Sequence, residues 1–114
     1  MYQIIKRDGQ VVDFDISKIV AAIKKAFEAT GIEYTDDIID FLALKVSADY
    51  LPKIKDEKVA VEDVQDSVEA VLSKGGYEVV AKAYILYRKQ REKLRNMKSS
   101  YLDYKETVDQ YIGA

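Results

Sequence analysis

The sequence has no cysteine and no histidine, and only one proline and five glycines among its 114 residues. Without thiols or imidazoles it can form no disulfide, no thiol nucleophile, no Ser-His triad and none of the zinc sites built from those ligands. Carboxylates, lysines and tyrosines remain for acid-base work, but no pair of them stands out in a site-like setting, so the chain by itself reads as a binder and not an enzyme. No apolar run approaches the roughly 18 residues of a spanning helix, and Met1 leads into a mixed polar segment without the apolar core of a signal peptide. The expectation is a cytoplasmic chain with no membrane partner. Neither sign of charge prevails: 18 basic and 20 acidic side chains leave a net charge of -2. Any anion site must therefore be local.

What is present fits one compact domain, with 48% hydrophobic and 33% charged residues and length for a single core. Residues 2–7 and 10–14 read as two short strands, and Asp8-Gly9 between them predicts a type I′ hairpin turn. Asp15 is the expected N-cap of a first helix carrying Ile16, Ile19, Val20, Ile23 and Phe27 on one face, with Gly31 as its stop. Thr35 caps a second helix whose inward positions are Ile39, Leu42, Val46 and Tyr50, ended by Pro52. Val59-Ala60-Val61 is long enough for a third strand or a hydrophobic staple. A third helix from about Glu62 turns Val64, Val68, Val71 and Leu72 inward and stops at Gly75-Gly76.

A fourth helix is expected from Tyr77 to Met97, with Val80, Ala83, Tyr84, Tyr87 and Leu94 as its apolar stripe. Its charge is distinctive: residues 77–98 hold seven basic and two acidic side chains, whereas residues 1–76 hold ten and fifteen. The fold class expected is α+β, a hairpin or three-stranded sheet covering a four-helix bundle. Residues 1–97 form the domain, and residues 98–114 read as a connector toward a further domain.

Lys6 and Arg7 come off the end of the hairpin, and Lys18 lies on the first turn of the first helix. There the macrodipole and the amides of Ile16, Ser17 and Lys18, expected to be unpaired, favour an anion. Ile4, Phe14 and Ile19 are apolar neighbours of these cations and could wall a planar base together with Val64. A nucleoside triphosphate asks for this combination of cations, free donors and apolar slot. Taken alone, the same residues also describe an ordinary hairpin with solvated charges.

The run Ile4-Ile5-Lys6-Arg7-Asp8-Gly9-Gln10-Val11-Val12-Asp13-Phe14-Asp15-Ile16-Ser17-Lys18-Ile19 resembles the N-terminal signature of the ATP-cone, the allosteric nucleotide-binding domain of ribonucleotide reductases. Val61-Glu62-Asp63-Val64-Gln65-Asp66 agrees with it, as do Tyr77, Ala81, Tyr84, Tyr87 and Arg88, so the resemblance covers about residues 2–95. It implies ATP or dATP as effector, with a magnesium ion accompanying the triphosphate. It places phosphate contacts on Lys6, Arg7 and Lys18, and the wrapping segment on Val12, Asp13, Phe14, Asp15, Ile16, Ser17 and Lys18. Base contacts fall on Ile4, Ile19 and Val64. A late basic residue of the fourth helix aligns best with Arg91, with Arg88 and Lys89 beside it. Val12 stands where some members have glutamate and Val61 where they have threonine; Gln65 could replace one of these polar contacts.

The resemblance further implies the catalytic domain of a parent reductase as partner, and a possible homo-oligomer through the cone. Reductases carry the cone at the extreme N-terminus, as here, and no cysteines precede it as in the zinc-ribbon repressors. Tyr101-Leu102-Asp103-Tyr104-Lys105 to Gly113 looks like the connector of the anaerobic, glycyl-radical class. A chain without cysteine could not form the thiyl radical of that chemistry and would only regulate it. The alternatives are the cone of another reductase class, a fragment of a nucleotide-responsive repressor, or a nucleic-acid or protein interaction module built on the basic fourth helix.

Overall fold

The computed structural model describes residues 2–112, with side chains through Met97. Strand β1 (Gln3–Ile5) pairs antiparallel with β2 (Val11–Asp13) and parallel with β3 (Lys58–Ala60), giving the order β2-β1-β3. Helices α1 (Ile16–Thr30), α2 (Asp36–Tyr50), α3 (Val61–Lys74) and α4 (Glu78–Ile112) complete the chain. They pack as a closed ring, α1 on α2, α2 on α3, α3 on α4 and α4 back on α1. This is the α+β arrangement that the sequence leads one to expect.

Local chemistry explains most boundaries. The Asp15 carboxylate accepts from the Ser17 amide at the start of α1, and the Thr35 hydroxyl accepts from the Ile38 amide at the start of α2. At the end of α3 the Tyr77 amide bonds to the Leu72 carbonyl and the Gly76 amide to the Ser73 carbonyl. Gly76 has φ 86°, so this is a Schellman stop that needs the glycine. After α2, a single 3₁₀ turn at Leu51–Lys53 carries the proline.

Two turns differ from expectation. In the hairpin the Gly9 amide bonds to the Lys6 carbonyl and the Lys6 amide to the Gln10 carbonyl; only Gly9 takes a positive φ, 86°. A type I′ turn at Asp8-Gly9 would need both residues there, so the loop is instead Arg7-Asp8-Gly9, with the glycine as a bulge. The second turn has no glycine at all. Asp56 and Glu57 sit at φ 51° and 60°, and Lys55 and Lys58 exchange both backbone hydrogen bonds around them. This left-handed pair starts β3 one residue earlier than the sequence indicated.

Ile4 stands between Val12 and Val59 in one row across the sheet, facing the helices. The core beneath holds Ile23, Phe27, Ile39, Val46, Tyr50, Val68, Leu72 and Val80, all 2% exposed or less. Tyr2 stacks on Phe14 and hydrogen-bonds through its hydroxyl to that of Tyr50, joining the sheet to the end of α2. Two members of the expected stripes are exposed. Ile16 is 37% exposed at the first turn of α1, and Leu94 is 59% exposed. Nor does α4 stop at Met97: it continues to Ile112, since no glycine or proline interrupts residues 77–112. Its second half outruns the shorter helices it packs on, which leaves Leu94 uncovered. The side chains of the expected connector lie outside the described residues.

Candidate functional site

The sheet, the start of α1, the start of α3 and the middle of α4 enclose two adjoining cavities that share Lys18, Ile19, Val61 and Val64 as a common wall. The smaller, about 180 Å³, has almost wholly apolar walls and is closed by Ile4, Val12 and Phe14, with Lys6, Asp13 and Asp15 at its edge. The larger, about 300 Å³, is lined by Arg7, Gln65, Tyr84, Tyr87, Arg91 and Arg95, with Ala22, Val68, Arg88 and Glu92. An apolar slot thus opens into a cleft rich in cations, and Lys18 stands at the junction. Among the described residues, Lys6, Lys18, Arg91 and Arg95 make no ion pair.

The start of α1 differs from its expected role. The Ser17 amide donates to Asp15 Oδ1 at 3.0 Å and the Ser17 hydroxyl to the same oxygen at 2.6 Å. The Lys18 amide bonds to the Asp15 carbonyl. The Ser17 and Lys18 amides are thus engaged within the cap, unlike the unpaired donors expected there. The hydrogen bonds from Ser17 hold the Asp15 carboxyl below its ordinary value. Ile16 and Ser17 line neither cavity; of the wrapping segment, Val12 to Asp15 and Lys18 do.

The arginines divide by their partners. Arg7 Nη2 donates to Gln65 Oε1 at 3.1 Å, while Nε lies 3.7 Å from Glu62 and Nη1 3.4 Å from Glu92. Gln65, expected near ribose or base, thus accepts a hydrogen bond from this arginine. Arg88 Nη1 donates to Asp66 at 2.8 Å and Glu69 at 2.9 Å. Partial burial works against its charge, but the two carboxylates outweigh that and raise its pKa. Arg88 is therefore a brace between α4 and α3. Arg91 donates to the Tyr87 hydroxyl at 3.2 Å and lies 5.8 Å from the centre of that ring.

Tyr84 and Tyr87, read from sequence as core, also wall the larger cavity. Burial pushes the Tyr84 hydroxyl up to about 12, with neighbouring Arg88 acting in the opposite direction. Sequence reasoning missed Ala22, Val68, Glu92 and Arg95 as lining residues. The spacing Tyr84, Arg88, Arg91, Arg95 repeats by three or four along one face of a helix, a signal that would have reached Arg95.

Comparisons with known proteins bear on the family. The chain is 42% identical over 98 residues to the ribonucleoside-diphosphate reductase subunit alpha of Chlamydia pneumoniae, covering 81% of this chain and 9% of that protein. It is 39% identical over 94 residues to the vitamin B12-dependent ribonucleoside-diphosphate reductase of Mycobacterium tuberculosis, covering 82% and 13%. To the anaerobic ribonucleoside-triphosphate reductase of Haemophilus influenzae it is 32% identical over 99 residues, covering 86% and 14%. The chain thus spans about a tenth of the length of these relatives. A family model described as the ATP cone domain matches residues 2–93, which takes in the sheet, all of α1 to α3 and the cavity-lining part of α4 up to Glu92; the chain belongs to the ATP cone family.

Proposed function

We propose that this chain binds ATP or dATP at the paired cavities and regulates a ribonucleotide reductase of which it forms part. The observation that carries the reading is the shared wall: the apolar slot suits an adenine ring, the cleft beside it suits phosphates, and Lys18 serves both. Ile4, Val12, Phe14, Ile19 and Val64 would hold the base. Lys6, Lys18, Arg91 and Arg95, with Arg7, would hold the phosphates. Any magnesium ion would arrive with the triphosphate, its shell filled by phosphate oxygens and water. Val12 and Val61 offer no side-chain polar contact to ribose or base edge, so selection between ATP and dATP falls to the polar groups at the edge of the slot, Asp13 and Asp15 among them, or to the state of the partner domain. Regulation requires that the two effectors differ in affinity for two states of the assembly.

The relatives are reductases of three kinds, and the cone is more similar to the two diphosphate reductases than to the anaerobic enzyme. Assignment to the anaerobic class rests on residues 101–113 alone. The division into a cone of residues 1–97 and a connector of residues 98–114 has the span of the family match in its favour. Against a nucleic-acid module on α4, Arg88 is turned to carboxylates of α3 and Arg91 and Arg95 line the cleft.

Titration calorimetry with ATP and dATP tests the reading. Saturable binding with micromolar to submillimolar affinity is expected; no heat at millimolar nucleotide, from a chain shown to be folded, would sink it.

A further inference from the structure

Arg7 belongs to the hairpin loop, yet each of its three guanidinium nitrogens faces a different residue of the helices. Nη2 gives a hydrogen bond to Gln65 of α3, Nε faces Glu62 of α3, and Nη1 faces Glu92 of α4. A phosphate that engages Arg7 through two parallel N–H groups competes with these partners for the guanidinium. The two carboxylates, at 3.7 and 3.4 Å, are held by charge alone, without the hydrogen bond that Gln65 makes. Among the described residues, Glu92 is the only carboxylate lining the larger cavity, beside Arg7, Lys18, Arg88, Arg91 and Arg95. Its side chain is 51% exposed and that of Arg7 25%, so the pair can exchange without a large desolvation penalty.

We propose that Glu92 is a positioning residue that stands in for phosphate when no nucleotide is bound: it holds Arg7 and ties α4 to the hairpin, and a polyphosphate takes Arg7 over and releases it. This rests on the nucleotide site proposed above. In the free chain the carboxylate offsets repulsion among the cations of the cleft. Once phosphates occupy the cleft, the same carboxylate is repelled by them and loses its partner. Glu92 therefore lowers affinity and makes the hairpin–α4 tie depend on occupancy. A ligand too short to reach Arg7, such as AMP, leaves the tie in place.

The test is calorimetry with ATP and AMP on the full chain, its E92Q and E92D variants, and the same E92Q change in an R7M background. E92Q is expected to tighten ATP binding by about two- to fivefold, the worth of a partly exposed ion pair, with AMP unaffected. E92D should retain most of the wild-type weakness, the gain should vanish without Arg7, and it should shrink at high salt. On adding ATP to wild-type protein, the Glu92 carboxyl carbon should move in NMR spectra. Unchanged or weaker ATP binding by folded E92Q, or a gain that persists undiminished in R7M, overturns the proposal while leaving the nucleotide site intact. Failure of the wild-type chain to bind ATP removes both.

Discussion

Two basic residues of the same cleft should fail in opposite ways when truncated. Lys18 is exposed, makes no ion pair among the described residues and lines both cavities. Arg88 lines one of them, but its guanidinium is committed to Asp66 and Glu69 at 2.8 and 2.9 Å, with its side chain 19% exposed. A hydrogen bond to a charged group contributes about 1.5–3 kcal/mol, and the lower end applies to a solvated lysine. Lys18→Ala should therefore weaken ATP binding about tenfold while leaving stability within about 0.5 kcal/mol of wild type. Arg88→Ala removes a doubly bonded brace and leaves Glu69 partly buried without its cation. It should cost about 1–2 kcal/mol of stability, lowering Tm by at least about 4 °C in a domain of this size, with ATP affinity changed less than about threefold, the effect of a lost solvent-screened charge. Calorimetric titration beside thermal unfolding followed by circular dichroism reads both quantities on the same samples. If Arg88→Ala abolished binding at unchanged Tm, or Lys18→Ala unfolded the domain without altering affinity, the assignment of roles from geometry would be wrong.

Lys6→Ala should weaken ATP binding without unfolding the domain, because Lys6 stands exposed at the edge of the slot; unchanged calorimetric affinity would remove it from the site. Glu57→Gly should stabilise the fold by about 0.5–1 kcal/mol, since relief of a left-handed non-glycine residue, φ 60°, exceeds the entropy glycine loses on folding; urea unfolding showing a net loss would refute this. At alkaline pH the sign follows from Tyr84, whose hydroxyl is raised above its ordinary 10 to about 12. Its contribution is complete below pH 10 and is lost as pH rises through 12, so urea unfolding of Tyr84→Phe should fall less steeply than wild type over that window, by on the order of 1–2 kcal/mol. Tyr2, also raised by burial and by its bond to Tyr50, keeps part of the loss in the variant.

Where a boundary depends on a residue's own chemistry, the sequence was sufficient. Asp15, Thr35 and the Gly75-Gly76 pair mark helix ends through short-range hydrogen bonds, and the inward faces of α2 and α3 follow from spacing alone. The turn at Asp56-Glu57 was invisible because no glycine announces it; pairing of β3 with β1, Gln3 N–H to Glu57 carbonyl included, imposes it from outside. The parallel placement of β3 is likewise a tertiary fact. In the site, the slot residues Ile4, Val12, Phe14 and Ile19 were legible because hairpin and α1 are neighbours in sequence, whereas Val64 reaches the slot from α3. The competition for Arg7 was not. It joins positions 7, 62, 65 and 92, and a list of cations says nothing of which are already paired. The same blindness made the Ser17 and Lys18 amides look open when Asp15 already engages them.

The length of α4 gives the small event at Arg7 a mechanical reach. From Glu92 to Ile112 the helix runs on for twenty residues, about 30 Å at 1.5 Å per residue. A rod pivoting by about 5° over that distance carries its far end through roughly 2–3 Å, enough to change how a packed neighbour seats against it, because packed interfaces switch between arrangements instead of deforming smoothly. On the proposed switch the unbroken helix would act as a pointer: its middle lines the cleft, and its far end would amplify a tilt that begins there.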